Sequence, residues 1–236
     1  MTKPANQISL RTAAVIAGFA TLTMVICAPF AELYAYPKLV IPGNAAETVK
    51  NIVAHQTLFA ALIMGYVITF ISDIIAAWAL YILLKPANVH LSVLTALFRL
   101  VYAFIAIVAL LNLVTVFRIV TMPEYLTVFK PGQIQAQVTL SLNTFRYGFH
   151  FGLLFFGVYL CLLGYLVWIS KYIPWILGVL LIISGLGYFV TSLEPYLFPA
   201  IKTDFAVYTF YGELIFMFWL IIRGWKIPEL KQEISL

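Results

Sequence analysis

Long, nearly uncharged apolar stretches are the feature that most constrains this chain. Splitting the sequence at its Pro, Gly and charged interruptions leaves six such stretches, at residues 12–34, 52–84, 92–116, 146–169, 174–192 and 205–223. A helix rises about 1.5 Å per residue, so about 20 residues cross a hydrocarbon core about 30 Å thick. Because the apolar residues are continuous and do not alternate with polar ones, they favour helices over the strands of a membrane barrel.

The composition indicates that lipid is the main solvent of the chain. Its 236 residues are 64% hydrophobic and 10% charged, whereas soluble domains are about half apolar and about a quarter charged. The basic residues behind the net charge of +5 are scattered over short loops and tails, which is typical of topology control and not of nucleic-acid binding. We therefore predict an all-α polytopic transmembrane bundle of about six spans. It would form a single transmembrane domain over residues 1–236, with the lipid bilayer as its partner and no nucleic acid.

The connections between the stretches predict the topology. The short turn at residues 85–90 makes the second and third stretches an antiparallel hairpin, and residues 120–143 form the longest connection, with room for a short interfacial helix. The second stretch is longer than a membrane crossing requires, so its helix is expected to tilt or to project beyond the membrane.

The basic residues outside the stretches predict the orientation. One side of the membrane would carry seven of them, Lys3, Arg11, Lys85, Lys171, Arg223, Lys226 and Lys231, and the other side five, Lys38, Lys50, Arg118, Lys130 and Lys202. Since cytoplasmic loops carry the excess of Lys and Arg, both termini are expected inside.

Two opposite charges inside the hairpin predict a buried ion pair. A charge at mid-helix costs about 2.5–3.5 kcal/mol unless it finds a partner or water. Asp73 lies 12 residues before Lys85 and Arg99 lies 9 residues after His90, so an antiparallel hairpin places both at similar depth. We predict contact between Asp73 and Arg99. A strut that fixes the helix register and a proton or ion relay are both open interpretations of such a pair, and the absence of any contact is the third possibility.

A second polar set is expected toward the other membrane face, where it has the composition of a small wet pocket. Its candidate residues are Glu32, Asn51, His55, Asn112, Arg146, His150 and Glu213. Three interpretations stay open: interhelical hydrogen bonding at the rim of the bundle, a pocket for a small-molecule or lipid ligand, and a metal site of His55 and His150 with Glu213 or Glu32. No closely spaced metal-ligand motif supports the last interpretation, so we predict neither a metal nor another cofactor.

Glycines in the fourth and fifth stretches predict close packing between them. Gly148 and Gly152 are four residues apart, and two further pairs, Gly157 with Gly164 and Gly178 with Gly185, are each seven apart and share a helix stripe. Small residues on such a stripe let two membrane helices approach closely.

Several short motifs carry a family resemblance. The clearest are Leu163-Gly164-Tyr165, Ser170, Ile173-Pro174, Leu177-Gly178-Val179-Leu180 and Gly185-Leu186-Gly187-Tyr188, joined by Phe98-Arg99-Leu100-Val101-Tyr102, residues 13–18 and Leu84-Lys85-Pro86. Together they resemble a bacterial family of multi-pass membrane proteins known only as domain of unknown function four-three-eight-six. The resemblance implies a location in the bacterial cytoplasmic membrane. It supplies no activity and no catalytic residues.

Three functional hypotheses follow from these patterns. The leading one is a membrane protein that binds a small or lipidic ligand through the polar set toward the outer face. The first alternative is an intramembrane metal-dependent hydrolase that uses His55, His150 and a carboxylate. The second alternative is a small proton-coupled transporter that depends on Asp73, Arg99 and Glu213.

Overall fold

A computed structural model of the protein describes residues 8–197 and 208–228, and the regular structure within these two ranges is helical. In chain order its elements are α1 (Leu10–Pro29), a π-helical turn (Phe30–Ala35), α2 (Tyr36–Leu39), α3 (Ala45–Ala54), α4 (Gln56–Leu84), α5 (Val89–Thr121), α6 (Pro123–Val128), α7 (Pro131–Ser170), α8 (Trp175–Leu197), α9 (Tyr211–Arg223) and a closing 3₁₀ turn (Gly224–Lys226).

Five helical stretches of the described chain are long and apolar enough to cross a membrane: Leu10–Leu39, Gln56–Leu84, Val89–Thr121, Pro131–Ser170 and Trp175–Glu194. The sixth predicted stretch, residues 205–223, begins outside the described residues, and its described part contains α9, which is 13 residues long. The prediction of an all-α polytopic membrane protein is confirmed, and five long helices together with α9 agree with about six spans.

The hairpin predicted around residues 85–90 is confirmed. Helix α4 ends at Leu84 and α5 begins at Val89. Asn88 caps the N-terminus of α5, because its Oδ1 accepts a hydrogen bond from the backbone N–H of Leu91 at 3.0 Å. Ser92 then donates its hydroxyl to the carbonyl of Tyr81 at 3.1 Å, which ties the two helices together next to the turn.

Two predicted boundaries were wrong, and local capping explains both. The second stretch is not one helix. Asn44 caps a separate helix α3 by accepting the N–H of Glu47 at 3.0 Å, and a non-helical turn at His55 (φ −125°, ψ 46°) separates α3 from α4. The long connection at residues 120–143 is mostly helical. It contains the short helix α6, and α7 already begins at Pro131, where a proline fits the first turn.

The described chain divides into two compact units. The first unit comprises Met1–Leu22, Ser72–Tyr102 and Leu153–Leu236, and the second comprises Thr23–Ile71 and Ala103–Gly152. Helices α1, α4, α5 and α7 contribute residues to both units. The prediction of a single transmembrane domain stays a prediction.

Close contact between α7 and α8 organises the first unit, as the spacing of the two seven-residue glycine pairs predicted. Gly148 does not take part, because a Cβ added to it would lie 3.1 Å from the Cβ of Ala109 on α5. A Cβ atom added to Gly157 would lie 3.0 Å from the carbonyl oxygen of Gly185, and one added to Gly185 would lie 2.7 Å from the carbonyl oxygen of Gly157. No larger residue fits at either position without movement of a backbone, so the glycines set the distance between these helices.

Large apolar side chains cover an outward face of the second unit. On α5, Phe104, Val108 and Leu111 are 59%, 64% and 58% exposed and lie three or four residues apart, which places them on one helix face. A surface of this kind is stable against lipid tails and not against water. The interior of the same unit holds fully buried Phe59, Leu62 and Leu113.

Candidate functional site

An ion pair between Glu32 and Arg146 forms the polar centre of the second unit. The Arg146 Nη1 lies 2.5 Å from Glu32 Oε1, and the hydroxyl of Tyr66 donates to the other carboxylate oxygen, Oε2. The guanidinium of Arg146 also lies over the ring of Tyr36, with its Cζ 4.9 Å from the ring centroid. We call these four residues the Glu32–Arg146 centre.

The π-helical turn places Glu32 in this centre. Within the turn the N–H of Tyr36 donates to the carbonyl of Ala31, five residues back, where an α-helix would use the residue four back. The next residue, Pro37, has no N–H to donate to Leu33, so the regular α pattern cannot simply continue through this segment. π-Helical turns are rare and occur frequently at functional sites.

Buried aromatic rings form the floor of the Glu32–Arg146 centre. The ring of Tyr66, which is 1% exposed, contacts Phe145 edge-on at 5.2 Å between centroids, and Phe149 and Phe70 lie at 6.1 and 6.0 Å from it. Phe145 is itself fully buried and also faces Tyr36 at 6.5 Å. Rings of this kind exclude water from one side of the ion pair and strengthen its electrostatic interaction.

The other side of the ion pair is open. The side chain of Glu32 is 35% exposed and that of Arg146 is 41% exposed. Because Arg146 donates Nη1 to Glu32 and carries further N–H donors in a planar fork, it can bind a second acceptor without leaving the centre. The arrangement therefore has the chemistry of an anion-binding site, and the carboxylate of Glu32 is the anion that occupies it in this structure.

The remaining residues predicted for the pocket have varied settings. Asn51 is partly buried on α3, and His55 is exposed at the break between α3 and α4. Asn112 donates its Nδ2 to the carbonyl of Ala109 in its own helix at 3.0 Å. His150 lies beside the ring of Phe149, with the centroids 6.5 Å apart.

Glu213, the last predicted pocket residue, belongs to the first unit, whereas the other six predicted pocket residues belong to the second. The seven-residue pocket stays a prediction. Its acid–base pair, Glu32 with Arg146, is the part that the structure brings into contact.

A second ion pair, between Asp73 and Arg99, lies inside the first unit. Arg99 Nη2 and Nε are 2.8 and 3.1 Å from the same oxygen, Asp73 Oδ1, and the two side chains are 4% and 2% exposed. The Nη1 of Arg99 donates to the hydroxyl of Tyr159, and the Arg99 Cζ lies 4.7 Å from the centroid of the same ring. The two charges face each other and not the acyl chains.

Aromatic residues and one further acid complete this centre. The ring of Phe156 contacts Tyr102, Tyr159 and Tyr188, at centroid distances of 4.8, 5.2 and 5.2 Å. Glu213 interacts electrostatically with Arg99 and Asp73 and with the hydroxyl of Tyr188. The Asp73–Arg99 centre is defined as Asp73, Arg99, Tyr102, Tyr159, Tyr188 and Glu213. The three residues of the transporter hypothesis all belong to it, and transport stays a hypothesis.

The sequence interpretation missed Tyr66 and Tyr159, the tyrosines whose hydroxyl groups form hydrogen bonds with the two ion pairs. Tyr66 lies midway along the second apolar stretch and Tyr159 midway along the fourth, and both are buried. A buried tyrosine hydroxyl usually finds a hydrogen-bond partner, so a mid-stretch tyrosine is a signal that a charge or carbonyl lies opposite.

The hydrolase hypothesis finds no support in the described part of the chain. Within residues 8–197 and 208–228, no three His, Cys, Asp or Glu side chains come together in a way that could hold a metal ion. A zinc site needs at least three such protein ligands around one point.

Comparisons with known proteins place the chain in a family. The family described as "Domain of unknown function (DUF4386)" matches residues 16–224. The chain belongs to this family. The resemblance inferred from the glycine-rich and Phe98–Tyr102 motifs is thereby confirmed for nearly the whole chain.

A relative in the archaeon Archaeoglobus fulgidus carries the name "Uncharacterized protein" and is 35% identical to this member of the DUF4386 family over 167 residues, which cover 71% of this chain and 86% of the relative. Because that relative is archaeal, the bacterial source implied by the resemblance stays a prediction. No solved structure matches the chain significantly.

Proposed function

We propose that this membrane protein binds an amphipathic molecule with an anionic headgroup, a carboxylate or a phosphate, at the Glu32–Arg146 centre. The observation that carries the proposal is the half-exposed ion pair above a buried aromatic floor. An ion pair that serves only to hold helices together has no need to leave about a third or more of each partner open, as Glu32 and Arg146 do.

Arg146 is the group that would recognise the headgroup. Its planar fork of N–H donors matches the oxygens of a carboxylate or phosphate, and Tyr36 supports the guanidinium from below through its ring. Glu32 occupies one of these donors with a carboxylate of the protein. A ligand anion therefore competes with Glu32 for Arg146, while the Tyr66 hydroxyl remains a donor for Glu32.

The surroundings of the ion pair suit an apolar tail. On the π-helical turn, Leu33 and Tyr34 are 75% and 50% exposed, and Tyr147, next to Arg146, is 60% exposed. An acyl chain attached to the headgroup would lie along such side chains and continue into the bilayer, whereas a fully polar anion would gain nothing from them.

Native mass spectrometry of the detergent-purified protein tests the proposal, with a long-chain fatty acid and phosphatidic acid as separate probes. A lost charge-assisted hydrogen bond costs about 1.5–3 kcal/mol, so Arg146→Gln is expected to weaken binding of the recognised probe about ten-fold or more. The matched control is Arg118→Gln, which removes an exposed arginine of the same unit and leaves binding unchanged. Comparison of the two probes identifies the headgroup.

The direction in which Glu32→Gln changes the affinity for the anionic probe shows whether Glu32 competes with the ligand. Because this change removes the internal competitor, it is expected to tighten binding of the anionic probe. A variant that stays folded and binds as weakly as Arg146→Gln would show that Glu32 holds the ligand and does not compete with it, which contradicts the proposed exchange.

The proposal also includes a location in a cytoplasmic membrane with both termini inside. The support is the distribution of basic residues, seven on the side of the termini against five on the other. Single-cysteine labelling tests it, after Cys27 and Cys161 are replaced by serine. Lys85→Cys is expected to react only from the cytoplasmic side and Lys50→Cys only from the outside, and the reverse pattern would overturn the orientation.

A further inference from the structure

Glu213 has an unusual setting within the Asp73–Arg99 centre. Its carboxylate oxygen Oε1 is buried, and no described residue offers a donor within hydrogen-bonding distance of it. A carboxylate oxygen that gives up water without gaining a donor is strongly disfavoured, whereas the carbonyl oxygen of a neutral carboxyl group is a much weaker acceptor and tolerates the same position.

The charges around Glu213 are already balanced without it. The groups that face it are Asp73 on α4, Arg99 and Tyr102 on α5, Tyr159 on α7 and Tyr188 on α8. Asp73 neutralises Arg99 through two hydrogen bonds, and the tyrosines are uncharged. An ionised Glu213 would therefore give this buried centre a net negative charge.

Packing between α8 and α9 holds Glu213 in place. Ser184 donates its hydroxyl to the carbonyl of Thr209 at 2.6 Å, just before α9 begins, and a Cβ added to Gly212 would lie 2.6 Å from the carbonyl oxygen of Leu180. The first turn of α9 thus has little freedom to carry the carboxyl group elsewhere. The N-terminal end of α9 favours a negative charge, but this effect is small beside the removal of a charge from water.

We infer that Glu213 is a proton-binding site: its carboxyl group carries a proton taken from water while Asp73 neutralises Arg99, and it releases that proton to become the partner of Arg99 when the charge of Asp73 is removed. The site lies in the first unit, and it does not depend on the binding of an anion at the Glu32–Arg146 centre.

Infrared spectroscopy of the reconstituted protein near neutral pH tests this site. The wild type is expected to show the deuterium-sensitive carbonyl stretch of a protonated carboxyl group, and Glu213→Gln is expected to lose it. Glu47→Gln is the matched control, because Glu47 is a solvent-exposed acid paired with Lys50 and its loss leaves the band in place. A wild-type spectrum without a Glu213-dependent band overturns the inference.

Asp73→Asn tests the exchange between the two acids. With Arg99 no longer neutralised, Glu213 is expected to ionise, so the band disappears although the residue is still present. A folded Asp73→Asn protein that keeps the band contradicts the exchange. A band that is present in sodium-free buffer and lost on addition of sodium would identify Glu213 as a cation ligand and would also overturn the proton site.

Thermal unfolding of Glu213→Gln gives a second readout that does not require Asp73→Asn to fold. Glutamine resembles the protonated carboxyl group in shape and charge, so this variant is expected to keep the melting temperature of the wild type. A clear loss of thermal stability would show that the ionised carboxylate supports the first unit, which contradicts the inference.

Discussion

The two ion pairs of this protein join the same kinds of groups in opposite settings. Asp73 and Arg99 are 2% and 4% exposed, and both Arg99 contacts go to one oxygen of Asp73, whereas Glu32 and Arg146 are 35% and 41% exposed. A buried charge that loses its partner is left without water, while a half-exposed charge regains water at once. Exposure, and not the identity of the residues, therefore separates a pair whose partners all come from the protein from a pair that can accept a ligand from outside.

The largest expected effect is the loss of Asp73. Asp73→Asn removes the two charge-assisted hydrogen bonds from Arg99 to Asp73, and Glu213 then has to ionise in a buried place to neutralise the guanidinium. The free energy of unfolding is therefore expected to fall by about 3–5 kcal/mol. Titration with a denaturing detergent, followed by circular dichroism, measures the change.

The control for this prediction replaces the whole pair. Asp73→Leu combined with Arg99→Met removes both charges and is expected to recover much of the stability, because no buried charge is stranded. If Asp73→Asn cost no more than Glu32→Gln in the same titration, the contrast between the two centres would be broken.

An intermediate effect is expected where α7 and α8 meet beside the buried centre. Gly185→Ala places a methyl group about 2.7 Å from the carbonyl oxygen of Gly157, and overpacking of this kind typically costs about 1–3 kcal/mol. The same unfolding titration measures it. Gly132→Ala is the control, since a Cβ there meets nothing within 4 Å, and an equal loss in both variants would rule out contact between the helices as the cause.

The smallest expected effect is at the half-exposed pair. Glu32→Gln is expected to lower the free energy of unfolding by about 0.2–1 kcal/mol, and the difference from the wild type should shrink as salt is added, because exposed pairs are screened. Unfolding titrations at low and high salt measure both. A loss of unfolding free energy that is large and independent of salt would mean that Glu32 and Arg146 hold helices together as the buried pair does.

Residue counting along the helices was enough to place Asp73 opposite Arg99. The turn at residues 85–90 is short, so depth in one helix fixes depth in the next, and a stranded charge in hydrocarbon is costly enough to bring the two groups together. The spans and the glycine contacts between α7 and α8 were predictable for similar reasons, since both depend on length and size and not on orientation.

The direction of the other side chains could not be obtained in this way. Helices that are apolar all round carry no amphipathic stripe, so the sequence does not show which face of α4 presents Tyr66 or which face of α7 presents Tyr159. The break at His55 and the early start of α7 at Pro131 depend on caps that the apolar pattern does not reveal. The spacing of apolar residues does not reveal the π-helical turn either, because the turn shifts the helical register by one residue at a single point.

The π-helical turn at Phe30–Ala35 makes the Glu32–Arg146 centre sensitive to the length of the chain. A π turn accommodates one residue more than an α turn, so it is equivalent to a single-residue insertion in a membrane helix. Deleting one residue there would remove the extra residue of the π turn and rotate one side of the helix by about 100° against the other. Glu32 would then leave the face it shares with Arg146, while the hydrophobic length would hardly change. Two chains that differ by a single deletion at this point can therefore insert into a membrane in the same way, although only one of them places the Glu32 carboxylate beside Arg146.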